Sequence, residues 1–176
     1  MKRVWPGLLI TILPAIGAGA CASAGAAARP AAFPAAPVRA EPVRHTLPSG
    51  VAAPDSMMLV RTAMALRGAP YRFGGDSPDG GFDCSGFVQY IFSRYRVDLP
   101  RTVGEQYALG ASVRRSDIRE GDLVFFSTTA AGPSHVGLAI DHEEFIHAPS
   151  ERGVVRVERL DTPYWRDRVV GARRMF

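Results

Sequence analysis

The chain has 176 residues, 47% of them hydrophobic, and a formal net charge of +4, which allows one domain with a buried core. Its basic residues are scattered, with no lysine- or arginine-rich arm and no aromatic platform motif. Composition and charge therefore give no support to nucleic acid binding.

The N-terminal segment has the order of a secretory signal. Lys2 and Arg3 precede an apolar run from Leu8 to Ile16, which is too short to span a membrane, and small residues then lead to Cys21. We predict a signal peptide over residues 1–20. With its cysteine, the segment resembles a bacterial lipobox, although Ala18 stands where leucine is commonest. The resemblance implies lipidation of Cys21 and a lipoprotein on the periplasmic face of the outer membrane. Without lipidation, the expectation is a soluble periplasmic or secreted protein.

Residues 21–54 are predicted to be the lipidated cysteine followed by a disordered linker. Alanine and proline dominate this stretch, and it has too few large apolar residues to offset the entropy cost of ordering. A linker of this length spans roughly 30 Å as a random coil and roughly 100 Å as polyproline II, enough to reach a cell wall from a membrane. Loss of Lys2 and Arg3 leaves 19 arginines against 17 acidic residues, an excess of only +2.

Residues 55–176 have the size of one domain. The pattern reads as a helix, a glycine-rich loop, a second helix and a short helix near 103–109, followed by strands. Helices first and strands afterwards predict an α+β domain with an antiparallel sheet of about five strands. The segments with strand composition and turn-rich boundaries are 123–126, 135–140, 144–147, 154–157 and 169–173.

Cys84 is the candidate nucleophile. Asp83 is a good helix N-cap, and apolar residues recur at helical spacing through Tyr95, so Cys84 is expected in the first turn of a largely buried helix. The helix N-terminus and a nearby imidazolium would lower the thiol's pKa and offer amides to an oxyanion. A buried, inert cysteine is the alternative, but glycines crowd this segment, as expected where backbone must approach a ligand closely.

Two histidines are candidates for the base and its orienting partner. His135 and His147 lie in two apolar runs separated by a polar turn. As a hairpin, these runs can place both rings on one sheet face, beside the helix that carries Cys84. His142 in the turn and His45 in the linker are interpreted as solvated bystanders.

Several separated motifs follow one another along the chain. They are Tyr71-Arg72-Phe73-Gly74-Gly75, Asp83-Cys84-Ser85-Gly86-Phe87, Leu99-Pro100-Arg101-Thr102 with Glu105-Gln106, Gly121 to Phe126, His135-Val136-Gly137 and Phe145-Ile146-His147-Ala148, then Pro163-Tyr164-Trp165 with Ala172-Arg173-Arg174. In this order they resemble the NlpC-type peptidoglycan endopeptidases, a family of compact papain-like cysteine peptidases. The resemblance runs from about Ser56 to Phe176, and its ending is most similar to the Spr-type murein endopeptidase lipoproteins.

The resemblance implies Cys84 as nucleophile, His135 as general base and acid, and His147 as the residue that orients His135. It also implies that the hydroxyl of Tyr71 helps to bind the oxyanion and that Asp83 and Ser85 line the substrate groove. As a plain helix cap, Asp83 needs no ligand. Arg101 and Gln106 are candidate contacts for a carboxylate-bearing stem peptide, although an arginine at a helix start can equally be solvated.

The implied reaction is hydrolysis of amide bonds in peptidoglycan stem peptides without a cofactor. The Spr-type resemblance favours the crosslink between D-alanine and meso-diaminopimelate. The wider family more often cuts between D-glutamate and the diamino acid, and related folds act as amidases. Nothing in the sequence identifies an adaptor or a regulatory protease.

Two other classes compete with the thiol peptidase. One thiolate and two imidazoles also suit zinc, but the sequence has no CxxC and no HExxH, and the three candidates are far apart. A non-catalytic wall-binding module with the same fold is the second alternative. The presence of all three expected polar residues argues against it.

Overall fold

The computed structural model describes residues 54–150 and 153–176, so the predicted signal peptide, Cys21 and nearly all of the predicted linker lie outside the described residues. The helices are α1 (Ser56–Ala65), α2 (Cys84–Ser93), α3 (Val103–Tyr107) and α4 (Pro163–Arg166). The strands are β1 (Asp76–Ser77), β2 (Gly81–Phe82), β3 (Ala111–Val113), β4 (Leu123–Phe126), β5 (His135–Ala139), β6 (Glu144–His147), β7 (Arg156–Arg159) and β8 (Val169–Arg174). None of these described helices is long and apolar enough to cross a membrane.

The large sheet has six strands in the order β3-β8-β4-β5-β6-β7, and every neighbouring pair is antiparallel. The predicted α+β class is therefore confirmed, with one strand more than the five expected. The additional strand, β3, is short and largely exposed, so it has no apolar pattern to reveal it. The predicted strand 154–157 instead runs over Arg156–Arg159, because Val155 is a buried loop residue that precedes the strand.

Helix α2 begins at Cys84, as the sequence predicts. The carboxylate of Asp83 accepts a hydrogen bond from the backbone N–H of Gly86 at 2.7 Å and so caps the first turn. Apolar residues at helical spacing then bury one side of the helix; they are Phe87, Val88, Ile91 and Phe92, all fully buried. The helix ends at Ser93, shortly before Arg96, whose positive φ of 61° cannot continue it.

The two faces of the sheet pack against different partners. Val136, Leu138 and Ile146 belong to the core that contains the apolar residues of α1 and α2. Alternate residues along the same strands, among them Ala139 and Phe145, belong to a second core around Trp165 of α4. Side chains alternate between the faces of a strand, so His135 and His147 lie on the second face.

Candidate functional site

Cys84 lies in a cleft at the start of β5. The cleft has a volume of about 640 Å³, and its wall includes Tyr71, Cys84, Arg101 and His135. Cys84 itself is partly buried. The first turn of α2 also packs so closely on the preceding loop that a Cβ added at Gly86 would lie 2.1 Å from the carbonyl oxygen of Gly75. Glycine at position 86 is therefore needed to bring the first turn, and with it the sulfur, into this cleft.

Asp83 is hydrogen-bonded to several groups around the cleft. Its carboxylate accepts hydrogen bonds from the backbone N–H of Gly74 at 3.0 Å and from Ser85 Oγ at 3.2 Å, in addition to the cap on α2. Both terminal nitrogens of Arg101 also donate to it, at 2.6 and 3.0 Å. Burial opposes the charge on Asp83, but these hydrogen bonds outweigh burial and lower the pKa of the carboxyl. Asp83 is thus an ionised residue that fixes the backbone and Arg101 beside Cys84.

The remaining groove candidates separate into exposed and buried residues. Arg101 keeps 38% of its side chain exposed and lines the cleft while it binds Asp83, and Ser85 is largely buried but also lines it. Gln106, in contrast, is fully buried: its amide nitrogen donates to the carbonyl oxygens of Ser85 at 3.1 Å and Pro100 at 2.8 Å. The side chain of Gln106 therefore cannot reach a stem peptide in this structure, and it ties α3 to the first turn of α2.

The two histidine rings form a hydrogen-bonded pair. Nε2 of His135 lies 2.7 Å from Nδ1 of His147, and the ring planes are nearly perpendicular. Because this bond occupies Nε2, the nitrogen of His135 available to the thiol is Nδ1. Gly137 lies between the two histidines on the same face, and a Cβ there would come within 2.6 Å of the Phe145 ring and 3.2 Å of the His147 Cβ.

The histidine pair does not lie on the sheet face that was predicted for it. The rings do share one sheet face, but it is the face opposite the one that packs on α2. His135 stacks on the indole of Trp165 at a centroid distance of 5.7 Å, and His147 meets the same indole edge to face at 5.1 Å. His135 and Cys84 line the same cleft, because His135 is the first residue of β5 and Cys84 is the first residue of α2.

Sequence reasoning missed a charged residue behind the histidine pair. Glu158 on β7 approaches Nε2 of His147 at 3.6 Å, which is longer than a hydrogen bond, and this buried nitrogen has no hydrogen-bond partner in the described part of the chain. Glu158 also accepts hydrogen bonds from Nε of Arg156 at 2.6 Å and from the indole N–H of Trp165. The facing His147 ring, together with the hydrogen bonds from Trp165 and Arg156, lowers the pKa of Glu158 to about 2 against the effect of burial.

Burial is the largest influence on the pKa values of Cys84 and His135. It raises the pKa of Cys84 to about 11, with help from the negative charge of Asp83. The backbone N–H groups of Val136, Ser85 and Cys84 act in the expected opposite direction, but they are outweighed. Burial also lowers the pKa of His135 to about 3, and the neighbouring His147 ring adds to the effect. Both shifts favour a thiol and a neutral imidazole in the resting site, the direction opposite to the lowered thiol pKa expected from the sequence.

Tyr71 lies in the same cleft as Cys84 and can act as a donor. Burial, followed by the nearby Cys84 and Asp83, raises the pKa of the phenol, which therefore keeps its proton at neutral pH. The phenol can therefore donate a hydrogen bond to a group bound in the cleft.

The geometry does not resemble a metal centre. Among residues 54–150 and 153–176, no group of three His, Cys, Asp or Glu side chains is placed to hold a metal ion. Two ring nitrogens 2.7 Å apart share a proton, whereas zinc ligands must surround the ion at about 2 Å each.

A thiol at the start of a helix, an antiparallel sheet that places an imidazole in the same cleft, and a second ring hydrogen-bonded to the first are typical of a papain-like domain of the cysteine peptidase class. The profile of the NlpC/P60 family matches residues 68–174. The chain belongs to the NlpC/P60 family.

The chain is similar to several characterised relatives. It is 44% identical over 110 residues to the murein DD-endopeptidase MepS/murein LD-carboxypeptidase of Escherichia coli K12, covering 62% of this chain and 57% of that protein. It is 36% identical over 124 residues to the gamma-DL-glutamyl hydrolase of Bacillus subtilis 168, covering 69% of this chain and 30% of that protein. The chain thus spans between about a third and three fifths of the length of these relatives.

The fold is also similar to solved structures of the family. An NlpC/P60 family protein from Bacillus cereus ATCC 10987 matches with a TM-score of 0.65 and 34% identity, covering 71% of this chain and 41% of the other. This likeness confirms the predicted fold family.

Proposed function

We propose that the chain is a peptidoglycan endopeptidase that cleaves the crosslink between D-alanine and meso-diaminopimelate through a thioacyl-enzyme intermediate. The observation that carries the proposal is the 2.7 Å bond between His135 Nε2 and His147 Nδ1, which leaves Nδ1 of His135 for Cys84 in a shared cleft. The similarity to a protein named as a murein DD-endopeptidase supports the choice of substrate and bond.

The reaction needs one proton carrier. As the sulfur of Cys84 attacks the carbonyl carbon, Nδ1 of His135 takes the thiol proton, and the C–S bond forms. The amides at the start of α2 and the phenol of Tyr71 stabilise the oxyanion. The imidazolium then gives its proton to the departing amine as the C–N bond breaks. Water activated by His135 hydrolyses the thioester and restores the thiol.

His147 and Glu158 keep His135 ready for this cycle. For Nδ1 of His135 to act as the base, Nε2 must carry the ring proton and donate it to Nδ1 of His147 at 2.7 Å, a bond that holds this tautomer. Glu158 faces the far nitrogen of His147 and attracts the positive charge that develops on the pair. A neutral resting pair thus acquires its charge only during the reaction.

A second candidate is cleavage between D-glutamate and the diamino acid, which is supported by the similarity to a protein named as a gamma-DL-glutamyl hydrolase. Mass spectrometry of purified crosslinked muropeptides separates the two. We expect the enzyme to release uncrosslinked monomers and its Cys84→Ala form to release none. Loss of terminal dipeptides would favour the second candidate, and no change with either form would indicate a non-catalytic wall-binding module.

The location in the cell belongs to the same proposal. We infer an exported protein with a signal peptide over residues 1–20, a lipid on Cys21 and a linker that carries the catalytic domain to the wall. Metabolic labelling with an alkyne fatty acid tests the anchor: wild type should be labelled, whereas Cys21→Ser should not.

A further inference from the structure

The cleft continues past His135 into a second arm. This arm has a volume of about 560 Å³, and it shares His135 and the nearby loop residues Thr128, Thr129 and Ser150 with the cavity that contains Cys84. Cys84 lines only the first cavity. The walls of the second include Arg156, Tyr164 and Trp165, so the second arm extends from His135 along Trp165 and does not include the residues around Cys84.

The chemistry of the proposed reaction assigns a role to each arm. The sulfur bonds to the acyl half of the substrate, while the imidazole of His135 delivers a proton to the departing amine. The amine half must therefore extend from the imidazole, and the second arm is the space open to it. Stacking of Trp165 on His135 provides this arm with a flat apolar wall next to the proton donor.

Arg156 is the positive group in this arm. Its side chain is half exposed, and its Nε donates to Glu158 at 2.6 Å. Within the described residues this is the one ion pair or hydrogen bond made by the Arg156 side chain, so both terminal nitrogens can donate to a ligand. The carboxylate of Glu158 is already met by Arg156 and Trp165 and faces His147, which limits its repulsion of an anion.

On the basis of the proposed function, we propose that Arg156 binds the α-carboxylate of the residue whose amine leaves. In a D-alanine to diaminopimelate crosslink, the amine that leaves is attached to a carbon that also carries a free carboxylate. In the competing D-glutamate bond of a tetrapeptide stem, the corresponding carboxyl is already an amide. A guanidinium at this position therefore selects the crosslink.

Two crosslinked tetrapeptide dimers test the assignment. They are identical except that the carboxylate beside the scissile amine is either free or amidated. We expect wild type to cleave the free form with a kcat/KM about tenfold higher, the value of one charge-assisted hydrogen bond at a partly exposed site. Because Arg156 also donates to Glu158, Arg156→Gln can slow both dimers, but it should abolish the about tenfold preference for the free form. Arg61→Gln, an exposed arginine on α1, is the matched control and should behave as wild type.

The other outcomes are distinct. Equal cleavage of both dimers by wild type overturns the role of Arg156 and leaves the proposed peptidase activity standing. Equal slowing of both dimers by Arg156→Gln also overturns it, because Arg156 would then act through Glu158. If wild type cleaves neither dimer, the proposed crosslink specificity fails first and the role of Arg156 falls with it. The ratio of kcat/KM on the two dimers is measured with the wild-type enzyme, so poor folding of a variant cannot affect it.

Discussion

Replacing Glu158 by glutamine tests whether a charge behind the histidine pair assists catalysis. The 5.0 Å between the two ring centroids together with the 3.6 Å contact place this charge roughly 8 to 9 Å from the His135 ring. At an effective dielectric constant of about 20, a positive charge on His135 is stabilised by about 2 kcal/mol at that distance. We therefore expect Glu158→Gln to lower kcat about 30-fold.

The assay separates this effect from loss of folding. All three groups that face Glu158 are donors, so the amide nitrogen of glutamine must face one of them, at a cost of about 1–3 kcal/mol in stability. The kcat should be measured on crosslinked muropeptide well below the Tm of each variant. Glu143→Gln is the control, because Glu143 is exposed, pairs with Arg159 at 2.9 Å and lies outside the cleft.

Imidazole ¹⁵N spectra provide a second reading of the same charge. Removal of the Glu158 charge should lower the pKa of His135 further, because Glu158 raises that pKa in the native site. A Glu158→Gln enzyme with wild-type kcat and unchanged histidine titration would refute the reasoning.

Four further predictions concern the thiol and the histidine pair. Cys84→Ala should fold normally and lose turnover, and near-native activity of this variant would contradict the role of the thiol. His147→Ala should retain more activity than His135→Ala, because His147 orients His135 and does not transfer the proton. With a thiol pKa of about 11, alkylation of Cys84 by iodoacetamide should rise about tenfold per pH unit between pH 7 and 9; a plateau below pH 6 would reveal a resting ion pair. Burial lowers the folded-state pKa of His135 below its unfolded value of 6.5, so the unfolded state binds more protons and the Tm of Cys84→Ala should fall as the pH drops below about 6.5; a flat Tm down to pH 5 would contradict this. Gly137→Ala should crowd the histidine pair and lower the free energy of unfolding, measured with denaturant, by about 1–3 kcal/mol. The increase in activation free energy calculated from kcat should be larger than this loss of stability.

The sequence was most informative where local chemistry decides the structure. Asp83 followed by helical apolar spacing located the start of α2, and four apolar strand segments were predicted within about a residue of their observed bounds. These features depend on a cap or on burial, both of which are visible in neighbouring residues.

Glu158 could not be found in this way. Strand β7 is largely exposed, so its composition favoured the apolar residues just before it, and the register against β6 was unknown. The contact with His147 also needs the position of Trp165, whose indole lies across both rings. Such long-range contacts follow from topology, which one local window does not contain.

The thiol pKa shows a different limit. The helix amides that the sequence predicts do favour the thiolate, but burial and Asp83 outweigh them. The sign of a pKa shift depends on how much water each group loses, and this is a property of the folded cleft.

His135, His147 and Glu158 come from three adjacent strands, β5, β6 and β7, one residue from each. Glu158 pairs with Phe145, which shares a sheet face with His147, so the register and the interstrand spacing of about 4.8 Å together set the diagonal step from the His147 ring to the carboxylate. A slip of one residue in either pairing would turn a member to the wrong side. Loss of turnover and unfolding of the sheet should consequently occur in the same cooperative transition.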